Sequence, residues 1–344
     1  MSSVPLSAMA AEIRETPEAV ARFLDREEGA LRRLGTRLRA LAPAFVASCA
    51  RGSSDNAAAY FKYGLEILAG LPVASIGPSV ASIYHAPLRL EGALLISVSQ
   101  SGRSPDIVAL QAAARQAGAC AVAVVNDASS PLALGADAVL PLHAGVERSV
   151  AATKTCLVSA AVLAGLIAEL GDDEGLRAGL RGLPGALARA LLADWSAPLP
   201  VLAQAPSAYV IGRGPAFPIA MEAALKLKEA AMLHAEAFSG AEVMHGPLQL
   251  LQEGFPVLAF RQHDAAYAAM GETIARLAGA GGRVFSCEEG APEASRLPFV
   301  PTGHTLLDPL AMLLSFYRLA EQVAHARGHD PDRPSLLRKV TETV

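Results

Sequence analysis

The sequence is poor in the features that mark a nucleic-acid-binding or disulfide-rich protein. Aromatic residues make up only 5% of its 344 residues, and acidic residues outnumber basic ones, giving a formal net charge of -4. Nucleic-acid binding usually needs clustered positive charge and aromatic side chains on which bases stack, so we expect a small-molecule ligand and no nucleic-acid partner. The four cysteines are widely separated, which favours neither a zinc cluster nor a disulfide framework. They are Cys49, Cys120, Cys156 and Cys287.

Long uninterrupted apolar segments are also missing. The N-terminus reaches the charged stretch 12–15 (Glu-Ile-Arg-Glu) without a preceding long apolar run, so it shows no pattern of a secretory signal. The apolar run 159–170 is shorter than the ~20 residues that a membrane-spanning helix needs. These observations predict a cytoplasmic protein that has no membrane partner.

What the sequence does contain is an alternation of short apolar runs and helical segments. The run 44–50 ends in a Gly-Ser-Ser turn that leads into a helical segment, and the run 93–99 is followed by a serine-rich turn and another helical segment. Strands that alternate with helices predict a parallel sheet with helices on both faces, and ligands then bind at the carboxyl ends of the strands.

The same order returns in the second half of the chain, so we predict an α/β protein with two sandwich domains. The length and a hydrophobic content of 52% suffice for two cores. A segment rich in Gly, Leu, Ala and Arg, 172–200, is predicted to be a linker. The predicted division is an N-terminal helical segment at 1–40, a first domain at 41–185, a second domain at 200–330 and a C-terminal tail at 331–344.

Two serine-rich turns in the first half suggest a phosphate site. They are Gly52-Ser53-Ser54 and the segment 99–104, and each stands between a predicted strand and a predicted helix. Serine hydroxyls and amides at helix N-termini suit a phosphate group, and the helix dipole adds attraction. Neither a P-loop nor a dinucleotide fingerprint occurs, which favours a sugar phosphate over a nucleotide. One such turn alone is more often a helix cap, but two in the same half favour a binding site.

A charged helix in the second half suggests proton transfer. Glu222, Lys226 and Glu229 are spaced by four and three residues, so they share one helix face, whereas Lys228 points elsewhere. An acid, a base and an acid on one face suit general acid-base chemistry, although a solvated face with ion pairs gives the same pattern. The helix follows 209–215, an apolar run ending in glycines, which favours the chemical interpretation.

Several separated motifs resemble the sugar isomerase (SIS) domain family, in particular the isomerase half of glucosamine-fructose-6-phosphate aminotransferases. The resemblance covers nearly the whole chain and implies two SIS-type αβα sandwich domains, each with a parallel five-stranded, flavodoxin-like sheet. The motifs are Gly52-Ser53-Ser54 with Asn56, Ser99-Gln100-Ser101-Gly102 with Ser104, Val150 to Lys154, Gly212 to Glu229, His234-Ala-Glu236, His245-Gly-Pro-Leu and Asp332 to Lys339.

The resemblance also implies roles for single residues. Glu229 matches the general base that moves a proton between C1 and C2, and His245 matches a histidine that assists ring opening from the neighbouring subunit of a homodimer. Lys339 matches a tail lysine that contacts the open-chain carbonyl and can form a Schiff base, and the tail is therefore expected to enter the active site. A loop histidine and a solvated lysine are the alternatives. The implied phosphate and substrate contacts are Ser53, Ser54, Ser99, Gln100, Ser101, Ser104, Val150 and Lys226.

The sequence departs from the aminotransferases at its N-terminus, where the family has a glutaminase domain with a nucleophilic cysteine. The SIS-like sequence begins almost at once, and residue 2 is serine. We therefore expect a deaminase that converts glucosamine 6-phosphate to fructose 6-phosphate and ammonia without a metal or organic cofactor. The alternatives are a phosphosugar isomerase that releases no ammonia, an enzyme for another amino-sugar phosphate or a fructosamine 6-phosphate, and a non-catalytic sugar-phosphate sensor.

Overall fold

The computed structural model describes residues 6–287, 294–337 and 339. Their contacts divide the chain into two compact units. The first unit consists of residues 18–147 and 154–181, and the second unit contains the described residues of 6–17, 148–153 and 182–339. Helix α1 (Ala8–Leu41) contributes to both. The division into four segments that the sequence suggests stays a prediction.

The first unit is built on a five-stranded parallel sheet whose strands run in the order β2-β1-β3-β4-β5. Central strands such as β3 are buried along their whole length, as expected when helices cover both faces. The strands are β1 (Val46–Cys49), β2 (Val73–Ser75), β3 (Leu94–Ser99), β4 (Cys120–Val125) and β5 (Ala138–Pro141). The helices are α2 (Ser53–Ala69), α3 (Ser79–Ser82), α4 (Pro105–Gln116), α5 (Pro131–Leu134) and α6 (Lys154–Leu170).

The apolar run 159–170 forms most of α6, a helix that is buried on every side. A helix that is apolar all round belongs in a protein core or a membrane. Gly165 lets α1 approach α6 closely, because a Cβ at this position would lie 2.6 Å from Leu31 Cδ2. None of the described helices is both long and apolar enough to cross a membrane.

The second unit repeats the plan with strands in the order β10-β9-β8-β6-β7, all parallel. Counted within the unit, both sheets have the strand order 2-1-3-4-5, so the predicted flavodoxin-like α/β fold class is confirmed. The strands are β6 (Ser207–Gly212), β7 (His234–Ser239), β8 (Phe255–Phe260), β9 (Gly282–Ser286) and β10 (Ser295–Arg296). The other elements are α8 (Leu199–Leu202), α9 (Ala216–Ala231), α10 (Tyr267–Gly279), α11 (Asp308–Ala326) and 3-10 turns at Glu242–Met244 and Pro247–Leu250. Helix α7 (Glu174–Ala190), like α1, contributes to both units.

The segment 172–200, which the sequence predicts to be a linker, is mostly helical. Leu176, Leu180, Leu183 and Leu187 recur at intervals of three and four residues and are buried, which gives α7 an apolar face to pack. Its glycines and Pro184 conceal this periodicity.

Candidate functional site

The serine turns lie at the switch point of the first sheet. Strands β1 and β3 are neighbours although β2 separates them in sequence, and the register pairs Cys49 with Ser97. The connections after β1 and β3 leave in opposite directions, which opens a crevice at the carboxyl ends of the strands. Gly52-Ser53-Ser54 follows β1, and β3 ends at Ser99, with Gln100 and Ser101 directly after it. The structure therefore brings the two predicted phosphate turns to one edge of the sheet.

The predicted phosphate contacts differ in how far they are exposed. Ser53 and Ser54 open helix α2 and are partly exposed, as are Gln100 and Ser101. Ser104 is also partly exposed, and its side chain makes no capping hydrogen bond although it precedes α4. These five side chains can reach a ligand in the crevice.

Ser99 has a different position. It is buried, and its hydroxyl accepts a hydrogen bond from the N–H of Gly102 at 3.1 Å. Gly102 has a φ of 62°, and a Cβ there would lie 2.6 Å from Ser130 Cβ. Only glycine fits at position 102. We therefore infer that Ser99 and Gly102 determine the conformation of the turn.

The structure adds a charged group that the motifs did not reveal. Arg51 immediately precedes the first turn and donates two hydrogen bonds to the Asp106 carboxylate in the first turn of α4. Cys49 and Asp55 lie close by: burial raises the pKa of the Cys49 thiol to about 12, with the charges of Asp106 and Asp55 adding to the effect. Burial also raises the pKa of Asp55. This thiol is therefore no nucleophile at neutral pH.

Arg103 lies in the second turn and pairs with Asp127 at 2.7 Å. Hydrogen bonds from Ser129, followed by the one from Arg103, lower the pKa of Asp127 to about 2. An arginine paired with an aspartate thus lies in or beside each turn. In the sequence, the only indication of these ion pairs is that each arginine is next to a serine motif.

Val150 and Lys339 belong to the second unit. Val150 is partly exposed in the short segment 148–153, and Lys339 Nζ donates a hydrogen bond to the carbonyl of Ser149 at 2.6 Å. The structure therefore brings the predicted tail lysine beside Val150. Residue 338 and residues 340–344, which belong to the predicted tail, lie outside the described residues.

The acid-base-acid face of α9 is buried rather than solvated. The side chains of Glu222 and Lys226 are 0% exposed, and Lys226 Nζ lies 3.4 Å from Glu222 Oε1 and in direct contact with Glu229. Tyr317 of α11 donates a hydrogen bond to Glu222 at 3.0 Å. Lys228, which the spacing places off this face, is exposed. Burying such a pair costs desolvation energy, which a merely solvated helix face would never incur.

Glu229 is the member of this group that reaches a cavity. Its side chain is 24% exposed and borders a space of about 490 Å³. The wall combines the end of α9, the start of β7 and the C-terminal segment, and it includes Lys228, Met232, His234 and residues 334–337. A carboxylate that is anchored by a buried lysine and open to a cavity has the geometry of a general base.

His245 lies far from Glu229 within one chain. Helix α9 returns to the amino edge of the second sheet, where β7 begins at His234, whereas His245 follows the carboxyl end of β7 and is exposed. A six-residue strand spans roughly 16–20 Å, so these two predicted catalytic residues stand at opposite edges of one sheet.

Comparison with known proteins fits this geometry. A family model for the SIS domain matches residues 46–168 and 201–270. The chain belongs to the SIS domain family. A glutamine-fructose-6-phosphate aminotransferase from Aeropyrum pernix is 37% identical to this SIS-domain chain over 98% of its length. The match covers 57% of that relative, and the chain spans about half the length of the curated relatives it matches.

Two solved structures resemble the whole SIS-domain chain. A candidate phosphosugar isomerase from Silicibacter pomeroyi DSS-3 is 48% identical, with a TM-score of 0.91 over 95% of this chain and 100% of that one. A glucosamine-6-phosphate deaminase from Thermotoga maritima shares the fold, with a TM-score of 0.77 and 18% identity over 98% of this chain and 100% of that one. The roles of individual residues rest on the geometry described above.

Proposed function

We propose that this SIS-domain chain is an isomerising deaminase that converts glucosamine 6-phosphate to fructose 6-phosphate and ammonia. The observation that carries the proposal is Lys226, a fully buried ammonium held between Glu222 and Glu229, with Glu229 open to a cavity. The relationship to aminotransferases and to a candidate phosphosugar isomerase supports a sugar phosphate as the substrate.

The proposed reaction begins at the phosphate group. Ser53, Ser54, Gln100, Ser101 and Ser104 bind the dianion at the switch point of the first sheet, where neutral donors converge. Binding energy from this remote group orients the sugar carbons for proton transfer.

Proton transfer follows ring opening. His245 assists the opening, and Glu229 then takes the C2 proton of the open aldose to give an enolamine. Return of that proton to C1 gives a ketimine, and water hydrolyses the C=N bond to leave a ketose phosphate and ammonia. Lys339 is proposed to contact the carbonyl of the open chain, where a Schiff base can form. No step needs a metal or an organic cofactor.

The separation of Glu229 and His245 supports a homodimer with shared sites, which we propose as the functional form. In such a dimer, His245 of one copy would serve the Glu229 of the other. Mixing Glu229→Gln and His245→Ala subunits, each inactive alone, should restore about a quarter of wild-type activity, because half of randomly paired dimers regain one intact site. Recovery of no activity after verified subunit exchange would contradict the shared site.

A phosphosugar isomerase that releases no ammonia is the second candidate, favoured by the 48% identity to the candidate isomerase from Silicibacter pomeroyi. A non-catalytic sensor is less consistent with the structure, because binding alone does not require the buried pair of Glu222 and Lys226 next to the cavity at Glu229.

A substrate panel distinguishes these functions. The wild-type protein is incubated separately with glucosamine 6-phosphate, galactosamine 6-phosphate, a fructosamine 6-phosphate and glucose 6-phosphate, and ammonia and ketose phosphate are measured in parallel. We expect equal amounts of ammonia and fructose 6-phosphate from glucosamine 6-phosphate. Turnover of glucose 6-phosphate without turnover of any amino sugar would identify a plain isomerase. Phosphate-dependent binding of all four sugars without turnover would identify a sensor.

A further inference from the structure

We infer that Arg51 is a positioning residue for phosphate binding, because it joins the two serine turns across the switch point. This inference rests on the proposed function, since it assumes that the turns bind the phosphate group of the substrate. It concerns a residue that none of the matching motifs contains.

The two turns belong to different connections of the first unit. The first follows β1 and opens α2, and the second follows β3 and opens α4. Their strands are hydrogen-bonded neighbours, but β1 ends at Cys49 and β3 ends at Ser99, so the other serines of both turns lie beyond the strands. The spacing between the two sets of hydroxyls therefore depends on contacts beyond the sheet.

Arg51 and Asp106 supply such a contact. Arg51 Nε donates to Asp106 Oδ2 at 2.7 Å, and Nη2 donates to the same oxygen. The other oxygen, Oδ1, accepts the N–H of Ile107 at 2.9 Å, which fixes the carboxylate to the first turn of α4. On the other side, the Arg51 carbonyl accepts the N–H of Ser54 at 3.1 Å. One residue thus connects the start of α2 to the start of α4.

Burial makes this contact strong. The Asp106 side chain is 0% exposed, whereas the Arg51 side chain is 46% exposed. A buried carboxylate that loses its cation is left as an uncompensated charge, so separating Arg51 from Asp106 is energetically unfavourable. The exposed part of the guanidinium also puts positive charge beside turns whose other predicted ligand groups are neutral serine and glutamine side chains. The paired arginine therefore sets the spacing of the turns.

The test measures phosphate binding independently of catalysis. Inorganic phosphate is titrated into the full-length wild-type protein and into Arg51→Met and Arg51→Lys by calorimetry, and KM and kcat for glucosamine 6-phosphate are measured on the same proteins. We expect Arg51→Met to weaken phosphate binding and raise KM by about 10- to 100-fold, with kcat within about threefold of wild type. Arg51→Lys keeps the charge but cannot make the two-point contact, so we expect its affinity for inorganic phosphate to be at least about fivefold below that of the wild type.

A matched control comes from an ion pair in the same unit that lies away from the turns. Arg115 Nε donates to Asp137 at 3.1 Å, and Arg115→Met should leave phosphate binding unchanged. Asp106→Asn, which keeps the side-chain shape, provides a second variant if Arg51→Met does not fold. It should weaken phosphate binding in the same direction.

The outcomes separate this inference from the proposed function. Wild-type phosphate affinity in Arg51→Met, or in both Arg51→Lys and Asp106→Asn, would overturn the positioning role while leaving the deaminase proposal intact. A folded wild-type protein that binds no inorganic phosphate and turns over none of the sugar phosphates would overturn the phosphate site and the proposed function together.

Discussion

Replacing Lys226 with methionine tests whether the charged face of α9 is held together by a buried ammonium. The side chains of Lys226 and Glu222 are 0% exposed, so removing the cation leaves a carboxylate in a dry environment. Breaking a buried pair in this way costs about 3–5 kcal/mol. Tyr317 still donates to Glu222 at 3.0 Å, which offsets about 1 kcal/mol. We therefore expect Lys226→Met to lower the free energy of unfolding by about 3 kcal/mol.

Urea denaturation followed by circular dichroism measures this loss, and the chain offers a matched control. Lys228 is on the same helix two positions later and is exposed, so Lys228→Met should change the free energy of unfolding by less than about 0.5 kcal/mol. The double variant Glu222→Gln/Lys226→Met removes the uncompensated charge, and it should recover about 2 kcal/mol of the loss. A loss below about 1 kcal/mol in Lys226→Met, or a double variant less stable than Lys226→Met alone, would refute the reasoning.

Two further predictions concern the first unit. Gly102→Ala should destabilise the protein by at least about 2 kcal/mol more than Gly70→Ala, because both glycines have a positive φ but only a Cβ at Gly102 meets Ser130. Equal losses in thermal or urea unfolding would contradict the steric argument. Alkylation of the native protein by iodoacetamide at pH 8 should modify Cys120 before Cys49, because Cys49 is fully buried and burial raises its pKa to about 12. Peptide mass spectrometry at successive times gives the order, and early modification of Cys49 would be inconsistent with this burial.

The sequence identified the strands that are buried on both faces and missed those at the sheet edges. The runs that became β3 and β8 are mostly apolar, so their composition reveals them. Strand β7, by contrast, begins with exposed His234 only three residues after the charged helix α9 ends. Its sequence therefore reads as a continuation of that helix. The left-handed conformation of Met232 ends α9 before β7, and a methionine gives no signal for such a turn.

In the candidate site too, features set by neighbouring residues could be predicted, whereas contacts between residues far apart in the chain could not. The position of both serine turns at strand-to-helix junctions follows from local patterns, and their meeting at the switch point follows from the strand order. The pairing of Arg51 with Asp106 joins residues 55 positions apart, and the hydrogen bond from Tyr317 to Glu222 joins residues 95 positions apart. Such contacts depend on how helices pack, which no single sequence window encodes. From the sequence alone, the charged face of α9 could be either solvated or catalytic. Helix packing buries Glu222 and Lys226 of this face.

The central claim is that Glu229 carries the proton between the carbon atoms of a sugar whose phosphate is bound elsewhere. Turnover of glucosamine 6-phosphate by Glu229→Gln, measured as ammonia release beside a phosphate titration of the same protein, tests this claim most directly. We predict that kcat falls by about 10²- to 10⁴-fold, the usual contribution of a positioned general base, while phosphate affinity stays at the wild-type value. Ammonia release by the glutamine variant at the wild-type rate would contradict the account.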